Sequence, residues 1–233
     1  MKLFLLIGQS NMAGRGELNE LPEITDRRCK MLRNGRFQPM HEPIVFDRPL
    51  NCLYHSGTNL AASFAKAYAE IFDEEVGLIP CADGGTTLAR WQPGEILYDH
   101  AVFLARLGMR SGELAGILWH QGEAECSVPE RASTYAERFL PIITQMKEDV
   151  GCPGVPVLMG ELGYYLSEFG DGHIRYWKVV NEQLHKIADE NPGFAVVSAA
   201  GLAPKADGLH FSTASLRTFG ERYFRAYRKL TGR

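Results

Sequence analysis

Five short apolar runs alternate with longer amphipathic stretches along this chain, and that alternation narrows its possible folds more than any other feature. The runs are Leu3–Ile7, Val76–Cys81, Leu114–Trp119, Val155–Gly160 and Phe194–Ser198. A brief apolar run closed by a turn signal reads as a strand buried on both faces. Between the runs lie helical periodicities. "NLAASFAKAYAEIF" spaces Leu60, Phe64, Ala67, Tyr68 and Ile71 along one face, and "EILYDHAVFLARLGMR" does so with Ile96, Ala101, Leu104 and Leu107. "STYAERFLPIITQMKEDV" carries Pro141 in its middle, which predicts a kink or a break. "IRYWKVVNEQLHKIADE" stops at Asn191-Pro192-Gly193, and "STASLRTFGERYFRAYRKL" has a Ser/Thr start and a basic end. Strand–helix alternation throughout predicts an α/β fold, a parallel sheet of about five strands sandwiched by helices. One domain over residues 1–233 accounts for it, with no internal repeat and no linker.

Residues 17–57 do not fit the alternation. Pro22, Pro39, Pro43 and Pro49 punctuate them, and Asn34-Gly35 between two short runs is a strong hairpin signal. A long excursion of this kind is usually functional or disordered. With Arg48, Tyr54 and His55 near its end, it reads as a wall over a site; a packed surface insertion is the alternative.

Bulk properties exclude several classes. The 233 residues, 45% hydrophobic and 23% charged, suit an ordinary globular protein. A formal charge of -3 gives no reason to expect a nucleic acid or an anionic membrane as partner. No apolar run approaches the ~18–20 residues that span a bilayer. Leu3–Ile7 is also shorter than the roughly 7–15 residues of a secretory signal core, so a cytoplasmic location is expected. Cys29, Cys52, Cys81, Cys126 and Cys152 form no CxxC pair, which argues against a zinc site or a disulfide framework. Cys81 and Cys126 read as buried small hydrophobes rather than nucleophiles.

Four polar clusters follow the first, second, third and fifth apolar runs: "GQSNM", "CADGGTTLARW", "WHQGEAE" and "KADGLHFS". In a parallel sheet all four open on one edge, where α/β folds keep their ligand crevice. A serine hydroxyl needs a base to become a nucleophile, and histidine titrates in the useful range. Ser10 and His210 are the candidates for these two roles. Asp207, three residues before His210, lies where one short turn can hold a carboxylate against the second imidazole nitrogen. The N–H groups of Ser10 and Gly85 and the side-chain amide of Gln121 are candidate donors to an oxyanion. Each piece has a plain alternative. Ser10, Asp207 or Ser212 could cap a helix, Gly84-Gly85 could be only a turn, and Glu123 and Glu125 could be solvated carboxylates. His120 reads as a packed residue, while His41, His55, His100, His173 and His185 show no partner pattern. No GxxxxGK[ST] pattern marks a phosphate cradle.

"IGQSNMAGRG", "CADGGTTLARW", "WHQGEAE" and "DGLHFS", in that order, resemble the SGNH-type esterases. The nearest branch holds carbohydrate esterase family 6 acetylxylan esterases and sialate O-acetylesterases, and "NGRFQPMHEP" is similar to that branch too. The resemblance covers nearly the whole chain. It implies Ser10 as nucleophile, His210 as base, and Ser10, Gly85 and Gln121 around the oxyanion. It also implies a three-layer α/β/α sandwich of flavodoxin-like order, an acetylated sugar or oligosaccharide as substrate, and no metal or organic cofactor. Asp207 is the expected acid and Glu123 the alternative. Asp83 departs from the branch, where an apolar or small residue is expected; it either alters leaving-group contacts or points into solvent. A G-x-S-x-G elbow of the α/β-hydrolase kind does not fit, because Ser10 is in the first loop and Met12 stands where that motif has glycine. Arg48, Tyr54 and Trp91 are candidates for holding the sugar. The leading expectation is an acetylesterase acting through an acetyl-serine; the alternatives are a lipid or thioester hydrolase of the same type and a non-catalytic carbohydrate-binding relative.

Overall fold

Leu3, Leu5 and Ile7 of strand β1 (Lys2–Gly8) join one hydrophobic core, Phe4 and Leu6 join another, and all five are completely inaccessible. Alternate side chains of a strand face opposite ways, so β1 must lie between two packed layers. The structure, a computed structural model, describes residues 1–46, 49–50, 56–169 and 173–233. After β1 come the short helix α1 (Ser10–Ala13), strands β2 (Cys29–Arg33) and β3 (Arg36–Pro39), and helix α2 (Leu60–Phe72). Then follow β4 (Val76–Pro80), α3 (Ile96–Gly108), β5 (Glu113–His120), α4 (Pro129–Ser133) and α5 (Tyr135–Asp149). The chain closes with β6 (Val157–Gly160), α6 (Trp177–Glu190), β7 (Phe194–Val197) and α7 (Thr213–Thr231).

The strands form one sheet in the order β3-β2-β4-β1-β5-β6-β7, parallel throughout except for the β2–β3 pair. Its five central and right-hand strands, β4-β1-β5-β6-β7, follow the flavodoxin-like order. One core packs side chains of α3, α5 and α6 on the sheet, and the other packs α2 and α7, giving a three-layer α/β/α sandwich. Phe4, Phe64, Tyr68, Phe224 and Tyr227 form an edge-to-face aromatic cluster in the second layer, with Phe4 and Phe64 centroids 4.7 Å apart.

Three expectations are corrected. The sheet has seven strands, not about five, because the Asn34-Gly35 hairpin joins it: Cys29 pairs with Val76 and Met31 with Leu78. Asn34 and Gly35 supply the positive φ values, 53° and 77°, that a tight two-residue turn demands. The hairpin itself widens the sheet; Arg48, Tyr54 and His55, which the expected wall over the site rested on, lie outside the described residues. Helix α5 runs through Pro141 without a break, and the interruption falls earlier, at Thr134. Pro141 is on the exposed face of the helix, away from the packed core. The inner face of α3 is also turned: Leu97, Tyr98, Ala101, Val102 and Ala105 are buried, while Ile96 is half exposed.

Gly8 fixes the seam between the two central strands. Its φ is +129°, and a Cβ there would stand 2.1 Å from the His120 carbonyl oxygen, which accepts the Gln9 N–H at 2.8 Å. Backbone at that distance cannot yield as a side-chain tip can. We expect Gly8→Ala to cost about 1–3 kcal/mol, read as a lowered midpoint in urea unfolding.

Candidate active site

Residue 10 sits where β1 delivers it, at the C-terminal edge of the sheet, as the first residue of α1. The position before a helix, Gln9, makes no side-chain cap, and the Ser10 hydroxyl does not cap either. It meets the His210 ring instead, with Oγ 2.9 Å from Nε2. The other ring nitrogen, Nδ1, is 2.8 Å from Oδ2 of Asp207. A carboxylate accepts only, so Nδ1 carries the proton and Nε2 is left to accept from the serine. Oδ1 of Asp207 takes the backbone N–H groups of Leu209 and His210, each at 2.9 Å. Partial burial opposes the charge on Asp207, but these N–H groups and the imidazole outweigh it and hold the carboxyl below its usual range. Ser212, not Asp207, caps α7 by accepting from Ser215 N–H.

Ser10 and His210 open into a cavity of about 390 Å³, walled in part by Gly84, Gly85, Ile174 and Leu209. Gly85 has φ +73°, and a Cβ on it would meet nothing within 4 Å, so its backbone faces open space. As the first residue of a helical turn, Ser10 has an N–H with no carbonyl behind it to bond. A separate groove of about 900 Å³ beside Tyr164, Trp177 and His185 contains none of these groups.

Several expected residues take other places. Gln121 is completely buried and is not part of the cavity wall: its Nε2 donates to the Thr86 carbonyl at 3.0 Å and its Oε1 accepts from the Tyr135 hydroxyl at 2.9 Å. Trp91 is completely buried too, edge-on to Trp119, with its indole N–H on the Thr86 hydroxyl at 3.2 Å. Both brace the Gly84–Thr86 loop from behind instead of facing the cavity, because the 3₁₀ turn Leu88–Trp91 carries the indole inward. Arg48 and Tyr54 lie outside the described residues.

The acidic residues are also buried. Glu125 is fully enclosed, accepting from Leu88 N–H at 2.7 Å and from the Arg138 guanidinium at 2.8 Å, so it is no solvated helix-start carboxylate. Nor is Glu123, which is 5% exposed and holds the Asn11 amide at 2.6 Å. The described partners of Glu123 do not include His210; its neighbour is His120, 3.7 Å away. His120 is packed edge-on to Phe211 and Phe219, as its apolar context implied, and burial lowers its affinity for a proton. Asp83 does not point into solvent: it is buried and accepts the Leu50 N–H at 2.8 Å. Cys126 is buried, its thiol pushed well up by burial and donating to the Gly122 carbonyl, which excludes it as a nucleophile.

Two residues escaped sequence reasoning. Arg15 lines the cavity, and Asn11 joins Glu123 to the histidine loop. Both stand in the "GQSNMAGRG" stretch, so their nearness to Ser10 was the available signal.

Residues 1–229 match the family model described as SASA, carbohydrate esterase, sialic acid-specific acetylesterase. A probable carbohydrate esterase of Arabidopsis thaliana is 29% identical over 244 residues, spanning 97% of this chain and 90% of that protein. An X-ray structure of an Arabidopsis thaliana protein superposes with a TM-score of 0.86 at 26% identity, covering 98% of each chain. A carbohydrate acetylesterase from Xanthomonas citri shares the fold, with TM-score 0.73 at 17% identity, over 99% of this chain and 57% of that one.

The lowered Asp207 carboxyl has a consequence for stability. Its contribution is complete above the ordinary aspartate range and is lost as pH falls through the depressed folded value. The stability deficit of Asp207→Asn, measured by denaturant unfolding across pH, should therefore be constant near neutrality and shrink in acid.

Proposed function

The chain belongs to the family of carbohydrate esterases described as sialic acid-specific acetylesterases, and from that premise we propose that it removes O-acetyl groups from sugar hydroxyls through an acetyl-serine at Ser10. The observation that carries this reading is the unbroken line Asp207–His210–Ser10, with contacts of 2.8 and 2.9 Å. In the first half-reaction Ser10 Oγ attacks the ester carbonyl while Nε2 of His210 takes its proton. The carbonyl oxygen becomes an anion, and the N–H groups of Ser10 and Gly85 are the donors assigned to it in this reading. The imidazolium, stabilised by Asp207, then protonates the leaving sugar oxygen as the C–O bond breaks. In the second half a water gives its proton to the same nitrogen and attacks the acetyl-serine, releasing acetate and restoring the hydroxyl.

Asp207 is favoured over Glu123 as the acid because the imidazole proton points to it, whereas Glu123 is spent on Asn11. A cavity of about 390 Å³ must hold both the acyl group and part of the alcohol, which favours a short acyl group such as acetyl.

With p-nitrophenyl acetate, Ser10→Ala should lower turnover at least ~1,000-fold; a fully active variant would remove Ser10 from the mechanism. Asp207→Asn should lower kcat by about 10²- to 10⁴-fold by releasing the ring from its tautomer. In a series of p-nitrophenyl esters, kcat/KM should collapse beyond short acyl groups. A preference for long chains would instead assign a lipid substrate. A panel of acetylated sugars scored by acetate release identifies the natural alcohol.

A further inference from the structure

Asn11 is 1% exposed and directly follows Ser10 in the chain. Its two amide atoms make two different bonds. Nδ2 donates to Oε1 of Glu123 at 2.6 Å, and Oδ1 accepts the N–H of Phe211 at 3.1 Å. Phe211 directly follows His210. Two adjacent pairs, Ser10-Asn11 and His210-Phe211, are thus joined by two parallel contacts: hydroxyl to imidazole, and amide oxygen to backbone N–H. We propose that Asn11, oriented by Glu123, is a positioning residue that clamps the loop bearing the base onto the loop bearing the nucleophile; the inference rests on the esterase reading above and extends it.

The orientation follows from donor chemistry. An asparagine side chain is close to symmetric in shape, so packing alone does not decide which end faces Phe211. Glu123 decides it. A carboxylate has only acceptors, so the NH₂ end must turn to it, and the oxygen is left for the Phe211 N–H. His120 does not compete. Its Nε2 is 3.1 Å from the Glu161 carbonyl and donates there, which leaves Nδ1 without a proton for Glu123 at 3.7 Å. Among the described residues Oε2 of Glu123 has no hydrogen-bond partner, which makes the Asn11 contact the principal anchor of that buried carboxylate. Reversing the amide would set NH₂ against the Phe211 N–H and an oxygen against the carboxylate, two repulsions in a buried space.

This arrangement gives Glu123 a role although it does not touch His210. The carboxylate fixes the amide, the amide fixes the peptide after His210, and the peptide fixes the height of the ring over Ser10. A displacement of about 1 Å at the reacting pair is enough to lower a rate substantially without altering how the substrate's remote parts are held. The expected signature is therefore a kcat effect with little change in KM.

The test uses the full chain and an exchange of donor and acceptor. Asn11→Ala should lower kcat on p-nitrophenyl acetate by about 10- to 100-fold, with KM altered by less than about threefold. Asn11→Asp, the same shape, sets a second carboxylate against Glu123 and should be impaired as much or more. The Asn11→Asp/Glu123→Gln double variant reverses the polarity: position 123 now donates, and position 11 accepts from it and from Phe211 N–H. It should recover kcat to within several-fold of the unaltered protein. Unfolding midpoints identify any variant that fails to fold, and the isosteric Asn11→Asp carries the comparison if Asn11→Ala does. A double variant no faster than Asn11→Asp, or an Asn11→Ala as fast as the unaltered chain, would overturn the clamp. If the unaltered protein released no acetate at all, the esterase reading would fail separately. The clamp would then be read from the ¹⁵N shifts of the His210 ring, which should change in Asn11→Asp and return in the double variant; shifts unmoved by Asn11→Asp would overturn it.

Discussion

The close approach of β1 to β5 at their C-terminal ends is the constraint on which the rest depends. Gly8 lies against the His120 backbone, and Gln9 N–H is bonded to the His120 carbonyl. From that point the two strands release the loops that carry Ser10 and Asn11 on one side and Gln121 and Glu123 on the other. The side chain of Gln9 strengthens the joint by accepting from Gly122 and Ala124 N–H groups. Parallel strands send all such loops to one edge, so a single backbone contact determines which polar groups can meet. The histidine loop, two hundred residues away in sequence, comes to the same edge because α7 packs back on α2 beside β1.

Buried polarity around the site divides into two kinds. Gln121, Trp91, Glu125 and Asp83 hold loops in shape: their partners are the Thr86 hydroxyl and carbonyl, Leu88 N–H, Arg138 and Leu50 N–H. Asp207 and His210 keep part of their surface in water, where protons can enter and leave. Unpaired buried charge is costly, and Glu125 and Glu161 are satisfied accordingly. Glu161 is the fullest example. Burial works against its charge, but His185, Ala199 N–H, Ser198 and Tyr164 together hold its carboxyl below the usual range.

Much of this was legible in the sequence. Each of the five expected strands exists, because burial on both faces writes an apolar run that little else imitates. Ser10, Asp207 and His210 come together as their motifs implied. The failures share a physical origin. Gln121 and Trp91 were assigned by residue type, yet an amide or an indole serves equally well behind a loop as in front of it. Only the fold says which. Asp83 departs from the apolar or small residue that the family resemblance implies, and a partner it accepts from, the Leu50 N–H, is 33 positions away in an aperiodic segment. The Asn34-Gly35 turn was readable, but the destination of its hairpin depends on pairing with β4 through Cys29, Lys30 and Met31, a long-range choice that local propensity does not encode.

That hairpin also blunts the rim of the sheet. An uncovered strand offers a row of free amides and carbonyls to any neighbouring chain. Here the outermost strand is only the four residues Arg36–Pro39, with an exposed arginine at its start and at its end a proline, which has no N–H to give. The opposite flank, Phe194–Val197, is equally brief. The seven-stranded sheet thus ends on both sides in strands of only four residues, short templates for the addition of another strand.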